Sequence, residues 1–292
     1  AIVMLVGPGR RYVPVVGLCL LLPCLRPDHE VPSGSFRVTA LDVGQGSAVV
    51  VDTRRHRLLF DAGPAYPSGF DTGAAVVLPS LVSLGGGALD VLVLSHADSD
   101  HVGGVRAVRR ALSPRRVGGG GDGGLGADGA CHGRRWQWDG VAFELLEVER
   151  PRRASDNDRS CILLVNGGGV RMLIAGDIGV AVEARLMRGL ASESPVHLLF
   201  APHHGSLSSS GRAFVRVLRP QQVFVDAGRD NRFGHPHPEV LARYAEVAAR
   251  VHRTGWDGAL VWHSAWPERV VRWRRDRLPY WRAPWEPAPG GS

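Results

Sequence analysis

The chain has 292 residues, 44% hydrophobic and 22% charged, which excludes a wholly disordered polypeptide and allows one large domain or two small ones. All 35 basic residues are arginine, and against 28 acids they leave a net charge of +7; that sign suits an anionic partner, nucleic acid or lipid headgroups, without choosing between them. Four cysteines with no C-x-x-C spacing argue against a disulfide framework or a cysteine-type zinc site, and 38 glycines without a G-X-Y period exclude collagen.

Two apolar runs open the chain, Ala1 to Val6 and Val13 to Leu25, broken by Gly7-Pro8-Gly9-Arg10-Arg11. Each is shorter than the roughly 20 residues of a membrane helix. They read as the tail of a polytopic membrane region, with a signal sequence or an N-terminal packing segment as the alternatives. The expected organisation is therefore 1–33 as the end of a membrane region, 34–265 as an α/β domain and 266–292 as an Arg/Trp-rich tail. Phe36–Val43 alternates like a strand, and Ser47–Thr53 and Arg57–Asp61 read as two further strands of a hairpin or meander. A helix over Asp71–Leu84 ends at Gly85-Gly86-Gly87, and Asp90–Leu94 is a short, buried type of strand. Gly118–Gly129 reads as a surface loop. Strands recur at Val141–Val148, Ser160–Val165, Val170–Ala175, Val196–Phe200 and Gln222–Val225, and helices at Val180–Gly189, Gly211–Leu218 and Pro238–Val251. Runs of strands with interspersed helices imply two sheets with helices outside them.

The strand Asp90–Leu94 runs straight into Ser95-His96-Ala97-Asp98-Ser99-Asp100-His101. Imidazole nitrogen and carboxylate oxygen are the usual donors to divalent cations, so His96, Asp98, Asp100 and His101 on one loop are candidate ligands. Three later strand ends repeat the design: Gly176-Asp177, Pro202-His203-His204-Gly205-Ser206, and the loop Gly234-His235-Pro236-His237. Reactive groups gathered at successive strand ends are how layered α/β folds build sites.

These motifs, with Leu41-Asp42-Val43-Gly44-Gln45-Gly46, Phe60-Asp61-Ala62-Gly63, Asn157-Asp158-Arg159-Ser160 and Asn231-Arg232-Phe233, resemble the metallo-β-lactamase superfamily. Within it they are most similar to the C-terminal domain of the ComEC family of DNA-internalisation channels. The resemblance spans about Phe36 to Trp262 and implies an αββα four-layer sandwich with a metal site at its open edge. It also implies a bacterial inner-membrane protein whose soluble domain faces the periplasm, with DNA, the membrane channel of the same polypeptide and the membrane surface as partners.

Two positions depart from the general superfamily pattern. Asp98 stands where a second His is usual, and Asn157 and Ser160 occupy the region of the His that usually precedes the Gly-Asp turn. Both changes trade nitrogen for oxygen, which favours Mn²⁺, with Zn²⁺ and Mg²⁺ as alternatives. The expected cofactors are two divalent cations sharing Asp177: His96 and Asp98 on one, Asp100 and His101 on the other, with His203 preferred over His204 to complete the shell. Such a pair suits phosphodiester hydrolysis. Asp100 is also expected to orient the attacking water, and His235 or His237 to protonate the leaving oxygen or bind a phosphate. Ser206, Asn231 and Asn157 are the expected substrate contacts.

The tail mixes Arg269, Arg272, Arg274, Arg275, Arg277 and Arg282 with Trp273, Tyr280, Trp281 and Trp285, a composition suited to single-stranded DNA or a membrane interface. The expected function is a metal-dependent DNase that processes the strand not imported during DNA uptake. The alternatives are a non-catalytic DNA-guiding module of the same machine and a small-molecule metallohydrolase.

Overall fold

The structure, a computed structural model, describes residues 31–119, 133–190 and 195–277. The two N-terminal apolar runs, most of the glycine-rich segment, and Tyr280, Trp281, Arg282 and Trp285 lie outside the described residues.

The first alternating stretches fold into β1 (Arg37–Ala40), β2 (Val49–Asp52) and β3 (Arg57–Phe60), an antiparallel meander. A wide turn at Gly73–Val77 enters helix α1 (Leu78–Ser83), and the chain returns as β4 (Val91–Leu94), parallel to β3. Two short helices, α2 (Ser99–Val102) and α3 (Val105–Leu112), lead to β5 (Arg116–Gly119). Next come β6 (Arg134–Trp138), β7 (Val141–Leu145), β8 (Leu163–Gly167) and β9 (Val170–Ile174), antiparallel throughout. Helix α4 (Val180–Leu190) precedes β10 (Leu198–Phe200), α5 (Arg212–Leu218) precedes β11 (Gln222–Val225), and α6 (Pro238–Ala245) precedes β12 (Arg250–Arg253). Helix α7 (Thr254–Asp257), strands β13 (Leu260–His263) and β14 (Val270–Arg272) and helix α8 (Trp273–Asp276) close the described chain.

The strands form two seven-stranded sheets, ordered β14-β13-β1-β2-β3-β4-β5 and β12-β11-β10-β9-β8-β7-β6. Their inner faces meet in one core, where Phe36, Phe60 and Trp262 of the first sheet pack against Phe143, Met172 and Phe200 of the second. Outside the second sheet, Val182, Leu186, Phe214, Val240 and Tyr244 cover Leu173, Leu199 and Val223. Outside the first, Leu81, Val105 and Val108 cover Val50, Leu59 and Leu92. The result is the expected helix–sheet–sheet–helix layering. A strand buried between a core and a helix layer has no polar face, which is why β2, β3 and β11 are buried along their whole length.

Three details differ from the sequence expectation. Helix α6 stops at Ala245 rather than Val251, because Ala248 takes a left-handed conformation (φ 58°) and the Ala249 N–H returns to Tyr244 O at 3.1 Å. That turn frees Arg250–Arg253 to pair in parallel with β11. Strands β5, β6, β13 and β14 add edges that short polar alternation does not announce. Cys161 is disulfide-bonded, so an isolated cysteine in the sequence is not isolated in the fold. Among the described residues no helix is long and apolar enough to cross a membrane.

Candidate metal centre

Each donor of the site stands just past the end of a strand. Strand β4 delivers Ser95 and His96 to the α2 turn; β9 delivers Gly176-Asp177; β10 delivers Pro202-His203-His204; and β11 delivers Asp226. The turns are tight because backbone must approach backbone. Gly46 (φ +127°) lies so close to the Asp100 carbonyl that a Cβ there would collide with it, and Gly176 (φ +57°) is pressed in the same way against Ser160. His203 and His204 both hold left-handed φ, 51° and 54°. The turn is fastened by His203 N–H to Gly176 O (3.0 Å), Ser206 N–H to His203 O (2.8 Å) and His237 N–H to Gly205 O (2.9 Å).

His96, His101 and His204 present Nε2 to a common centre, with His203 at its edge. Asp177 Oδ1 is 3.4 Å from His101 Nε2, and its Oδ2 is 3.5 Å from His204 Nε2 and 3.7 Å from His203 Nε2. Asp100 Oδ2 is 3.5 Å from His204 Nε2, and Asp98 Oδ2 is 3.4 Å from His96 Nε2. Donor atoms of His96, His101 and Asp177, and again of Asp100, His101 and His204, lie within 4.8 Å of one another, close enough to share a cation.

The opposite ring nitrogens are all engaged. Asp61, fully buried, accepts from Ser95 N–H (2.7 Å), Ser95 Oγ–H (2.8 Å) and His101 Nδ1–H (2.8 Å). With its hydroxyl donated to Asp61, Ser95 Oγ accepts from His96 Nδ1–H at 2.9 Å. Asp226 accepts from His204 Nδ1–H at 3.2 Å, and Ser208 Oγ meets His203 Nδ1 at 3.3 Å. Ser160 Oγ accepts the Asp177 N–H at 3.0 Å. Fixing Nδ1 as the protonated nitrogen turns each Nε2 lone pair inward, the arrangement that outer carboxylates impose on metal-binding histidines.

The electrostatics favour a cation. Burial opposes charge on His101 and His204, but Asp177 with Asp61, and Asp177 with Asp226, hold both imidazoles well above the ordinary range. Burial also pushes Asp177 up, and His204 and His101 outweigh it, leaving a strongly acidic carboxyl. The buried carboxylates demand positive charge, from protons on imidazoles or from a bound metal. His96 Nε2 decides that the second fits: it is buried with no hydrogen-bond partner among the described residues, an acceptor aimed at Asp177 and Asp98.

Other expected site residues hold different positions. His204 is buried in the ligand cluster, whereas His203, the preferred ligand in the sequence reading, is partly exposed with its Nε2 3.3 Å from Asn157 Nδ2. The buried neighbour owes its place to Asp226. Asn231 is spent on its own loop: its amide donates to Gly228 O (2.8 Å) and His235 O (2.6 Å) and accepts His235 N–H (3.0 Å). His237 caps α6, with Nδ1 accepting Glu239 N–H at 3.2 Å. Ser206 Oγ pairs with Ser208 Oγ at 3.0 Å. His235 does face the site, 5.7 Å from the His203 ring; burial and then the neighbouring His204 and His203 lower its pKa to about 4. Asp226 carries no motif signal of its own; its position directly after the apolar strand β11 is its one mark.

The metallo-beta-lactamase superfamily model matches residues 41–225. The chain belongs to that superfamily. It is 37% identical over 243 residues to competence protein ComA of Neisseria gonorrhoeae, covering 80% of this chain and 33% of the relative. It is 29% identical over 274 residues to ComE operon protein 3 of Bacillus subtilis, covering 84% and 34%. These competence proteins bear out the resemblance to the ComEC family, and the chain spans about a third of their length. Among solved structures, a metallo hydrolase of Ignicoccus hospitalis, Igni18, superposes with a TM-score of 0.55 at 16% identity, over 77% of this chain and 98% of its own. The metallo-beta-lactamase fold protein YhfI of Bacillus subtilis gives 0.51 at 12% identity, over 78% and 99%. Both likenesses concern the fold.

Proposed function

We propose that this chain is a metal-dependent phosphodiester hydrolase acting on DNA, the nuclease part of a competence uptake machine, with its catalytic face outside the cytoplasm. The observation that carries the reading is the orphaned His96 Nε2 at the head of a buried imidazole–carboxylate cluster. His96, Asp98 and Asp177 are assigned to one cation, and Asp100, His101, His204 and Asp177 to the other. Bound there, divalent cations would supply a water of lowered pKa and neutralise charge developing on the phosphate. Asp100 is assigned to orient the attacking water. His203 and Asn157 are assigned to the phosphate, since they sit together at the exposed side of Asp177. Three nitrogen and three oxygen donors make a harder set than a three-histidine site, and support Mn²⁺ over Zn²⁺. The ComA and ComE relatives support DNA as substrate, and the disulfide at Cys161 supports an oxidising compartment.

The test is cleavage of end-labelled single- and double-stranded DNA with Mn²⁺, Mg²⁺ or Zn²⁺ in turn. Cleavage with Mn²⁺ that Asp100→Ala abolishes is expected. DNA binding without cleavage under every metal would overturn the nuclease reading in favour of a guiding module.

A further inference from the structure

Two exposed aromatic clusters border the candidate centre. On one side Phe233, half exposed, lies nearly parallel to the His235 ring (centroids 5.7 Å, 24°), and His235 in turn meets His203 at 5.7 Å. The Arg232 guanidinium lies 4.8 Å over the Phe233 ring. An unbroken run of flat groups therefore leads from the Asp177 carboxylate out to solvent. On the other side Tyr66 and Phe70 stand 6.0 Å apart, exposed at 44% and 50%. Their loop is closed by Tyr66 N–H to Phe70 O at 2.8 Å and Gly69 N–H to Tyr66 O at 2.9 Å.

Both clusters are fixed to the same piece of backbone. Ala65 lies against Gly103 at the end of the ligand-bearing turn, so closely that no Cβ fits between them. The Tyr66 hydroxyl reaches to 3.8 Å from where a Gly44 side chain would begin. From the opposite side Gly228, the start of the Phe233 loop, approaches Gln45 N and Gly44 C at 3.2 and 3.4 Å from its own Cβ position. The Gly44-Gln45 turn is the divide between two aromatic walls. Large exposed apolar rings have no packing reason to stand on either side of a polar centre. Every nucleobase has a π-face, and aromatic rings or guanidinium planes beside a cationic groove are how proteins hold unpaired strands.

We infer that Phe233 with Arg232, and Tyr66 with Phe70, are two base-stacking walls that hold an unpaired nucleic-acid strand across the centre. This rests on the proposed DNA substrate and makes it specific: single-stranded, gripped through bases as well as phosphates. It places base recognition at the mouth of the centre, in addition to any contribution of the arginine-rich tail. A base-paired duplex hides its π-faces and gains nothing from these rings.

The test measures binding of a fluorescein-labelled oligothymidylate of about twelve residues, of an abasic strand of equal length, and of a duplex, with hydrolysis of bis(p-nitrophenyl) phosphate as the strand-free control. The full chain is expected to bind the base-bearing strand about tenfold tighter than the abasic one. Phe233→Ala and Tyr66→Ala are each expected to lose about fivefold or more on oligothymidylate and markedly less on the abasic strand, a difference that a general disturbance of the centre would not produce. Phe233→Trp should retain affinity. Unchanged oligothymidylate binding in both alanine variants, or equal wild-type binding of base-bearing and abasic strands, would overturn the inference. Absence of hydrolysis of any substrate would instead count against the nuclease reading, since the binding arms report on stacking without it.

Discussion

Asp61 shows how far a single side chain acts beyond its own position. It accepts three hydrogen bonds inside the protein, two from Ser95 and one from His101, and through them orients both His96 and His101. Asp61→Asn keeps the volume but replaces an accepting oxygen with an NH₂ that faces donors. The expected result is a 10–100-fold loss of Mn²⁺ affinity by calorimetric titration, with Asp226→Asn giving a similar loss through His204. An unchanged Kd in Asp61→Asn would show that the ring orientation is held by packing instead. His203 and His204 separate the same way: His204→Ala should abolish tight Mn²⁺ binding, whereas His203→Ala should keep it within a few-fold and raise KM for DNA. The candidate ligand loop stands out in the sequence because six consecutive residues carry four possible donors. The choice within the His pair is not, because it depends on Asp226, a residue of another strand. The local hydrogen bonds of Asn231 and His237 are hidden from the sequence for a related reason. Asn and His also serve turns and helix caps, and only the fold shows which donors remain unspent.

At the scale of elements, the segment after the His pair is clamped between helices α4 and α6. Glu183 of α4 accepts Ser210 N–H (2.5 Å) and Gly211 N–H (2.8 Å), while Arg243 of α6 donates to Ser209 O and Ser210 O at 3.1 and 3.2 Å. Burial raises the Glu183 carboxyl from 4.5 to about 7, against the pull of those two N–H groups and Arg243. Because its folded pKa lies above the unfolded one, the folded state binds the extra proton between about pH 4.5 and 7. Stability from this group is therefore full below that window and falls as pH rises through it, by up to about 3 kcal/mol at about 1.4 kcal/mol per pH unit. Glu183→Gln has no proton to lose. In urea unfolding of the metal-free protein, the wild type should lose about that much more stability between pH 5 and pH 8 than Glu183→Gln. Parallel profiles would mean that the carboxyl stays ionised throughout. The apolar strands β2, β3, β4 and β11 are legible from sequence because burial on both faces leaves a continuous apolar run. Strand β12 is not: Arg250-Val251-His252-Arg253 continues the helical pattern of α6 without a Gly or Pro, and only its partner β11 makes it a strand.

For the whole molecule, the centre is the place where the two sheets are joined by chemistry as well as by apolar packing. His96, Asp98, Asp100 and His101 follow β4 of the first sheet, while Asp177, His203 and His204 follow β9 and β10 of the second. The layering is readable from the sequence because hydrophobic patterning sets it. The convergence of sheet ends is not, since it depends on crossovers between strands far apart in the chain. A cation held by both sides binds only the assembled fold, so its binding free energy adds to the stability of the whole. Free Mn²⁺ at about a hundred times its Kd should contribute about 2.7 kcal/mol, worth roughly 5–10 °C in Tm for a domain of this size. Excess EDTA should remove that increment and a return of Mn²⁺ restore it, read as one cooperative transition by calorimetry. His96→Ala, which breaks the first-sheet side alone, should lower the increment to that of a partly filled centre while leaving the metal-free Tm near the wild-type value. A Tm indifferent to chelation, in protein shown by elemental analysis to have carried metal, would show that the cation does not prefer the folded state and would refute the shared centre. An increment that survives in His96→Ala would leave the centre shared but remove that imidazole from its donors.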